Sequence, residues 1–220
     1  MEGFVVLVVV VMIVVCVVAV VAGQQRRKER AAEFARFAAR QGWHHLEEEN
    51  TLVERWQGKP FTGGGTARNV IRGRHRERDF VAFTYSYTTT QYNGTTTTTQ
   101  SHDYAVVTIA LPGSVAELSV GEEGLFGGKV AEAFGFERVD TGDTHFDEVF
   151  KVKSDSPQFA REVLQRPLID LLKSHGPWEW RFTGSTMLSY EKGKLDVHEV
   201  QPRLDRMNEV LDHIPYDVLH

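Results

Sequence analysis

The chain has 220 residues, with 25 basic and 30 acidic side chains and a formal net charge of −5. A net-acidic chain binds phosphate polymers poorly, so the composition argues against a nucleic-acid partner. The single cysteine, Cys16, excludes an intramolecular disulfide and, because it lies inside an apolar segment, also argues against thiol catalysis.

Residues 4–22 form an apolar run without a charge, a proline or an internal glycine. As a helix rising about 1.5 Å per residue, this run would be roughly 28 Å long, close to the hydrocarbon thickness of a bilayer. We therefore predict a transmembrane anchor over residues 1–23. A cleaved signal peptide is the competing interpretation; small residues at 19–23 suit it, but no basic stretch precedes the run.

The charges that follow the run predict an orientation. Residues 24–40 carry a net charge of +4, whereas residues 41–220 carry −8. Positive charge marks the cytoplasmic side of a span. We therefore predict a single-pass protein of the cell membrane, with its N-terminus outside, a basic juxtamembrane helix at 24–42 and a cytoplasmic C-terminal domain. The predicted lipid-surface residues are Arg26, Arg27, Lys28 and Arg30.

The next part of the chain predicts β-structure. Residues 43–46 suit a short strand and residues 51–56 a helical turn. Two strands follow at 68–75 and 79–92, with a turn at 76–78, because apolar residues there alternate or run continuously.

Asn93 and Gly94 lie between two threonine-rich, β-prone segments. Asn-Gly is the strongest short hairpin signal, because a type I′ turn needs positive φ at both positions. We predict a long hairpin over residues 79–111 in which Tyr92 faces Thr95, with a base buried on both faces and a tip that projects into water. The same Asn93 begins an N-glycosylation sequon, which is expected to be unused on the cytoplasmic side.

The second half mixes helices and strands. In chain order we predict a strand at 117–120, a helix at 124–134, a strand at 149–152, helices from 157 and from 167, strands at 178–182 and 187–191, and a helix at 197–213. Hairpin-connected strands with helices between them predict an α+β fold. The predicted architecture is one N-terminal transmembrane helix followed by a mainly antiparallel sheet domain with packed helices over residues 43–220.

Several segments together resemble a known group of proteins. The strings Arg-Trp-Gln-Gly-Lys-Pro-Phe at 55–61, Asn-Val-Ile-Arg-Gly-Arg at 69–74 and Val-Ala-Phe-Thr-Tyr-Ser-Tyr at 81–87 are similar to actinobacterial single-span membrane proteins that carry a domain of unknown function. The similarity continues through residues 146–160. The resemblance implies a membrane-tethered domain, and it implies no activity and no functional residue.

Asp143, His145 and Asp147 form the best candidate for metal chemistry, since their oxygen and imidazole groups lie close together in the sequence. A metal site needs three or four converging donors. The simpler interpretation is a helix start, in which Thr144 and Asp147 resemble a capping box. Because no second ligand set with a known spacing is present, we predict no bound metal and no cofactor.

Other chemistry-bearing residues have structural interpretations as well. Adjacent His44 and His45 would point to opposite sides of a strand, so they are poorly placed to share an ion. The arginines at 68–78 either contact anionic lipid or pair with nearby acidic residues. The four tryptophans, which either line a ligand groove or fill the core, are Trp43, Trp56, Trp178 and Trp180.

The function predicted from these patterns is that of a membrane-anchored cytosolic binding or scaffolding domain of unknown ligand. Two alternatives are a membrane-tethered enzyme, such as a metal-assisted hydrolase using the loop of Asp143, His145 and Asp147, and a binder of anionic lipid surfaces. The predicted partner is the lipid bilayer. The sequence leaves a protein partner and the oligomeric state open.

Overall fold

The computed structural model describes residues 2–61, 63–122 and 137–220. In the first helix it describes the side chains of Leu7 and of the residues from Val11 onward. The helix predicted at 124–134 lies outside the described residues.

Helices and strands alternate in groups along the chain. The helices are α1 (Glu2–Gln41), α2 (Thr144–Val149), α3 (Pro157–Val163), α4 (Arg166–His175) and α5 (Val197–Asp212). The strands are β1 (His44–Glu48), β2 (Thr66–His75), β3 (Arg78–Tyr92), β4 (Thr97–Glu122), β5 (Glu137–Arg138), β6 (Phe150–Ser154) and β7 (Trp180–Lys192). Short 3₁₀ helices occupy Asn50–Glu54 and Tyr216–Leu219.

The strands form one antiparallel sheet in the order β1-β2-β3-β4-β6-β5, with β7 paired to β4. Strand β4 is the centre of the sheet, because β3 and β6 pair with successive parts of one edge while β7 follows the other. The predicted α+β class and the mainly antiparallel sheet are therefore confirmed.

The transmembrane part of the predicted fold class is contradicted. Among the described residues, no helix combines the length and the apolarity that a bilayer span requires. The helix also does not divide at residue 23, since α1 continues to Gln41 through the basic segment.

The C-terminal part of α1 belongs to the core of the domain. Phe34, Phe37 and Ala38 are buried in the larger apolar cluster, and Phe37 makes an edge contact with Trp43 at a ring-centroid distance of 5.8 Å. The Arg30 guanidinium donates to the Leu195 carbonyl at 2.5 Å. This part of the predicted juxtamembrane helix is thus fixed to the sheet domain by packing.

Two apolar clusters cover the two faces of the sheet. The larger one is formed by the sheet, the end of α1 and the helices α2 to α5. The smaller one contains Leu52, Trp56 and Phe61 against Phe83 and Tyr85 of β3. The base of the β3–β4 hairpin is therefore buried on both sides, as the alternation of its apolar residues predicted.

The hairpin turn lies at Asn93 and Gly94, but its register differs from the predicted one. Tyr92 pairs with Thr97, two residues beyond the predicted Thr95. The cause is the Asn93 side chain, whose Oδ1 accepts from the backbone N–H groups of Thr95 and Thr96 at 3.2 and 2.9 Å and closes a longer loop. A shift of two residues leaves every side chain on its predicted face, because the strand period is two.

Strands β4 and β7 are each longer than predicted and strongly bent. The segments predicted as a separate strand at 117–120 and as two strands at 178–182 and 187–191 are continuous with these elements. Register breaks near Ala110 and Val115 accommodate the bend, opposite Gly184 with its φ of +55°.

The bend brings the two ends of β7 together. The Tyr190 N–H donates to the Glu179 carbonyl at 3.4 Å, although eleven positions separate these residues. A straight strand would place them roughly 36 Å apart. A cleft lies where the ends of β7 meet.

Candidate functional site

The cleft has a volume of about 510 Å³ and lies at the edge of the sheet along β7. It is bordered by the loop before β2, by the residues that lead into β7 and by one side of α5. Its volume is within the range of roughly 300–1,000 Å³ that is usual for small-molecule sites. Since its walls come from distant parts of the chain, the cleft exists only in the folded domain.

Aromatic rings form much of the wall. They are Tyr87, Tyr104, Trp178 and Tyr190. The rings of Tyr87 and Tyr104 are nearly parallel, with centroids 6.2 Å apart, and Tyr190 meets Tyr104 edge-on at 6.3 Å. Burial is the main cause, and the hydrogen bond with Tyr104 a smaller one, that together raise the pKa of Tyr87 to about 12. Tyr87 is therefore neutral at physiological pH, and the three tyrosine rings offer flat contact surfaces.

Glu179 is a buried acid in this cleft, with only 7% of its surface exposed. Its Oε1 accepts from the Glu122 backbone N–H at 3.3 Å, and its Oε2 accepts from the Tyr190 hydroxyl at 3.5 Å. Burial raises the pKa of Glu179 to about 7, against the lowering effects of these two hydrogen bonds and of Lys59. The carboxyl group can thus change its protonation state near neutral pH.

Gly121 provides the space for the Glu179 carboxyl group. A Cβ atom at this glycine would come closer than 3.0 Å to the carboxyl atoms of Glu179. The backbone of β4 can therefore approach the acid only because residue 121 has no side chain.

Basic side chains surround the rest of the cleft. They are Lys59, Lys192, Arg203 and Arg206. Arg203 binds Glu191 and, at 3.1 Å, Glu199, so its charge is largely balanced within the protein. The Arg206 guanidinium lies over the Trp178 ring, 5.6 Å from its centroid. One wall of the cleft is thus both aromatic and cationic.

Of the three residues considered as candidate metal ligands, Asp143 and Asp147 have structural roles in the fold. Asp143 caps α2 by accepting a hydrogen bond from the Phe146 N–H at 3.0 Å. It also binds Lys173 at 2.9 Å, and this lysine is the main reason that the pKa of Asp143 is lowered. Asp147 accepts from the Thr141 hydroxyl at 2.9 Å, and His145 is exposed. The cap is Asp143, one residue before the predicted Thr144. Among the described residues, no three His, Cys, Asp or Glu side chains are grouped to hold a metal ion.

The predicted lipid-surface residues fall into two sets. Arg26, Arg27 and Lys28 are exposed on α1, whereas Arg30 is engaged with the Leu195 carbonyl. The arginines of β2, of β3 and of the turn between them bind acidic residues, in the pairs Arg68–Glu48, Arg72–Glu49, Arg74–Asp79, Arg76–Asp205 and Arg78–Asp212. The arginines at 68–78 are therefore engaged in ion pairs within the protein.

Most of the cleft was not predicted from the sequence. Of the four tryptophans, Trp178 lines the cleft, while Trp43, Trp56 and Trp180 are buried. One local signal was available, because Glu179 is a charged residue between two tryptophans at the start of a strand. A carboxylate in such an apolar segment indicates either a buried partner or a functional acid.

The described structure is an α+β domain on a bent antiparallel sheet, with an aromatic and charged cleft at one edge. No protein-family model matches the chain, and no curated protein matches it. Its fold is similar to the crystal structure of the mycobacterial trehalose monomycolate transport factor A, TtfA, with a TM-score of 0.60 and 15% sequence identity over 84% of this chain and 96% of that chain. At this identity the likeness shows the fold alone. The structural likeness agrees with the predicted resemblance to actinobacterial proteins. It does not confirm the single-span architecture or the domain of unknown function that this resemblance implied.

Proposed function

We propose that this protein is a binding module for an amphipathic, lipid-related molecule, which it holds in the cleft along β7. The observation that carries this proposal is the composition of the cleft, which combines an aromatic wall with a charged margin in one concave site of about 510 Å³. An amphipathic ligand needs both kinds of surface. The aromatic wall removes its apolar part from water, and the charged margin binds its polar end.

The comparison supports the broad class of this function. The structurally similar protein is described as a trehalose monomycolate transport factor. We carry over only a lipid-related binding or scaffolding role, because the shared feature is the fold. The enzyme alternative has less support, since Asp143 and Asp147 are already occupied as a helix cap and a loop contact.

The ligand proposal predicts that Trp178→Ala weakens binding of a long-chain amphiphile about tenfold, because the variant loses a ring of the apolar wall. Isothermal titration calorimetry with dodecyl maltoside and dodecyl phosphate, each below its critical micelle concentration, would measure this loss. Tyr92→Ala is the matched control, since Tyr92 is 71% exposed at the hairpin tip. Equal losses in both variants, or no saturable binding by the wild type, would contradict the proposal. Circular dichroism would verify that each variant is folded.

A second proposed role is contact with an anionic lipid surface through Arg26, Arg27 and Lys28. These three exposed basic residues follow one another on one helix, and each residue of this kind contributes about 1 kcal/mol near an anionic surface. The location at the cell membrane and the orientation across it stay predictions.

Replacing all three basic residues with glutamine is expected to weaken binding to phosphatidylserine vesicles by about two orders of magnitude at low salt. Vesicle co-sedimentation at increasing salt concentration would measure this change, and the wild-type affinity should fall as salt rises. The charge-matched control replaces the exposed Arg55, Arg138 and Arg161 with glutamine. Equal binding by both triple variants would refute this role.

A further inference from the structure

The cleft carries more positive charge than the rest of the protein. Four cationic side chains and two carboxyl groups line it, although the chain as a whole has a net charge of −5. One of the two carboxylates, Glu191, is bound by Arg203, which also binds Glu199. This internal network leaves Lys192, Arg206 and Glu179 to determine which polar group the cleft accepts.

Two of the cations have no acidic partner among the residues that the structure describes. Within the described parts of the chain, neither Lys192 nor Arg206 forms an ion pair, and both are exposed at the margin of the cleft. Arg206 is held over the Trp178 ring by a cation–π contact, which leaves its N–H donors available. Two cations at a concave site are positioned to bind an anion from solution.

Glu179 opposes this excess of positive charge only weakly. Its pKa is raised to about 7 by burial, so near neutral pH a large fraction of this carboxyl group is protonated. A protonated carboxyl group donates a hydrogen bond, which an anionic oxygen accepts. The acid is therefore compatible with an anion in the same cleft.

A further unpaired donor lies in the cleft wall. The indole N–H of Trp178 is buried and has no acceptor among the described residues. A buried donor without an acceptor is unfavourable by about 1–3 kcal/mol, and a ligand oxygen could accept from it only after the Trp178 ring shifts toward the cleft.

We infer that the cleft selects an amphiphile whose polar end is an anion, namely a phosphate or a carboxylate group, with Arg206 and Lys192 supplying the positive charge and the aromatic wall holding the apolar part. This inference rests on the proposed function, and it adds the charge of the ligand. It makes Arg206 a specificity-determining residue, since this residue joins the cationic margin to the aromatic wall.

The test compares three probes that separate charge from apolarity: dodecyl phosphate, dodecyl maltoside and inorganic phosphate. By calorimetry on the full chain at pH 6.5, dodecyl phosphate should bind about tenfold more tightly than dodecyl maltoside, and inorganic phosphate should bind at least about a hundredfold more weakly than dodecyl phosphate. Equal affinity for the two amphiphiles would overturn the inference and leave the proposed function standing. If neither amphiphile binds, both fail. If inorganic phosphate binds as tightly as dodecyl phosphate, the site is one for a free anion, and the amphiphile is excluded.

A variant pair locates the selectivity within the cleft. Arg206→Gln should weaken dodecyl phosphate binding about tenfold and leave dodecyl maltoside binding unchanged, because a charge-assisted hydrogen bond is lost while the apolar wall stays. Arg161→Gln removes one exposed positive charge from α3 and should change neither affinity. Equal weakening of both amphiphiles by Arg206→Gln would show that Arg206 supports the shape of the cleft and would overturn its assigned role.

Discussion

Phe34→Ala is expected to lower the free energy of unfolding by about 3–5 kcal/mol, the usual effect of removing a fully buried phenylalanine ring. Phe34 is 1% exposed in the larger cluster, where it lies beside the ring of His45 at a centroid distance of 6.1 Å. The variant would lose this buried ring and leave a cavity at the junction of α1 and the sheet. Urea denaturation followed by tryptophan fluorescence would measure the change.

The control for this experiment is Arg36→Ala, on the same helix and exposed. It should change the stability by no more than about 0.5 kcal/mol. Phe34→Leu should recover part of the loss, because it refills much of the cavity. A loss below about 1 kcal/mol in Phe34→Ala would mean that this part of α1 is separate from the domain, as the predicted juxtamembrane helix would be.

Local signals in the sequence predicted the elements of the domain well. Ser156 and Pro157 predicted the start of α3, and the Ser156 hydroxyl accepts from the Phe159 N–H at 3.3 Å. The apolar stripe at 200–211 predicted α5 in the same way. Such features depend on neighbours a few residues away, which a single sequence displays directly.

Features that depend on distant contacts were not predicted. The hairpin register was wrong by two residues because the Asn93 side chain, rather than the Asn-Gly backbone alone, closes the turn. The bends of β4 and β7 bring Glu179 beside Glu122 and Tyr190, and no local pattern indicates that meeting. The cleft is a product of this long-range closure, so the sequence showed its tryptophan but not its acid, its arginines or its shape.

Glu179→Gln is expected to remove a pH dependence from the stability of the protein. The pKa of Glu179 is about 7 in the folded state because of burial, against 4.5 for the free side chain. Because the folded-state pKa is raised, the contribution of Glu179 to the free energy of unfolding is fully present below pH 4.5. This contribution is lost as the pH rises through 7. The pKa shift corresponds to a pH-dependent stability of at most about 3 kcal/mol. Screening by solvent in the cleft reduces this value to about 2 kcal/mol.

The measurement is the free energy of unfolding of wild type and variant at pH 5 and pH 8, from urea denaturation. From pH 5 to pH 8, the free energy of unfolding of the variant should rise by about 2 kcal/mol relative to that of wild type, because glutamine carries no charge to bury. The ionisable groups around Glu179 are Lys59, Glu122 and Tyr190, with Arg206 across the cleft, and all of them remain in the variant. Glu54→Gln, at an exposed carboxylate, is the control and should show no such gain. An equal gain in both variants, or none in Glu179→Gln, would mean that Glu179 is not the buried acid that makes the cleft sensitive to pH.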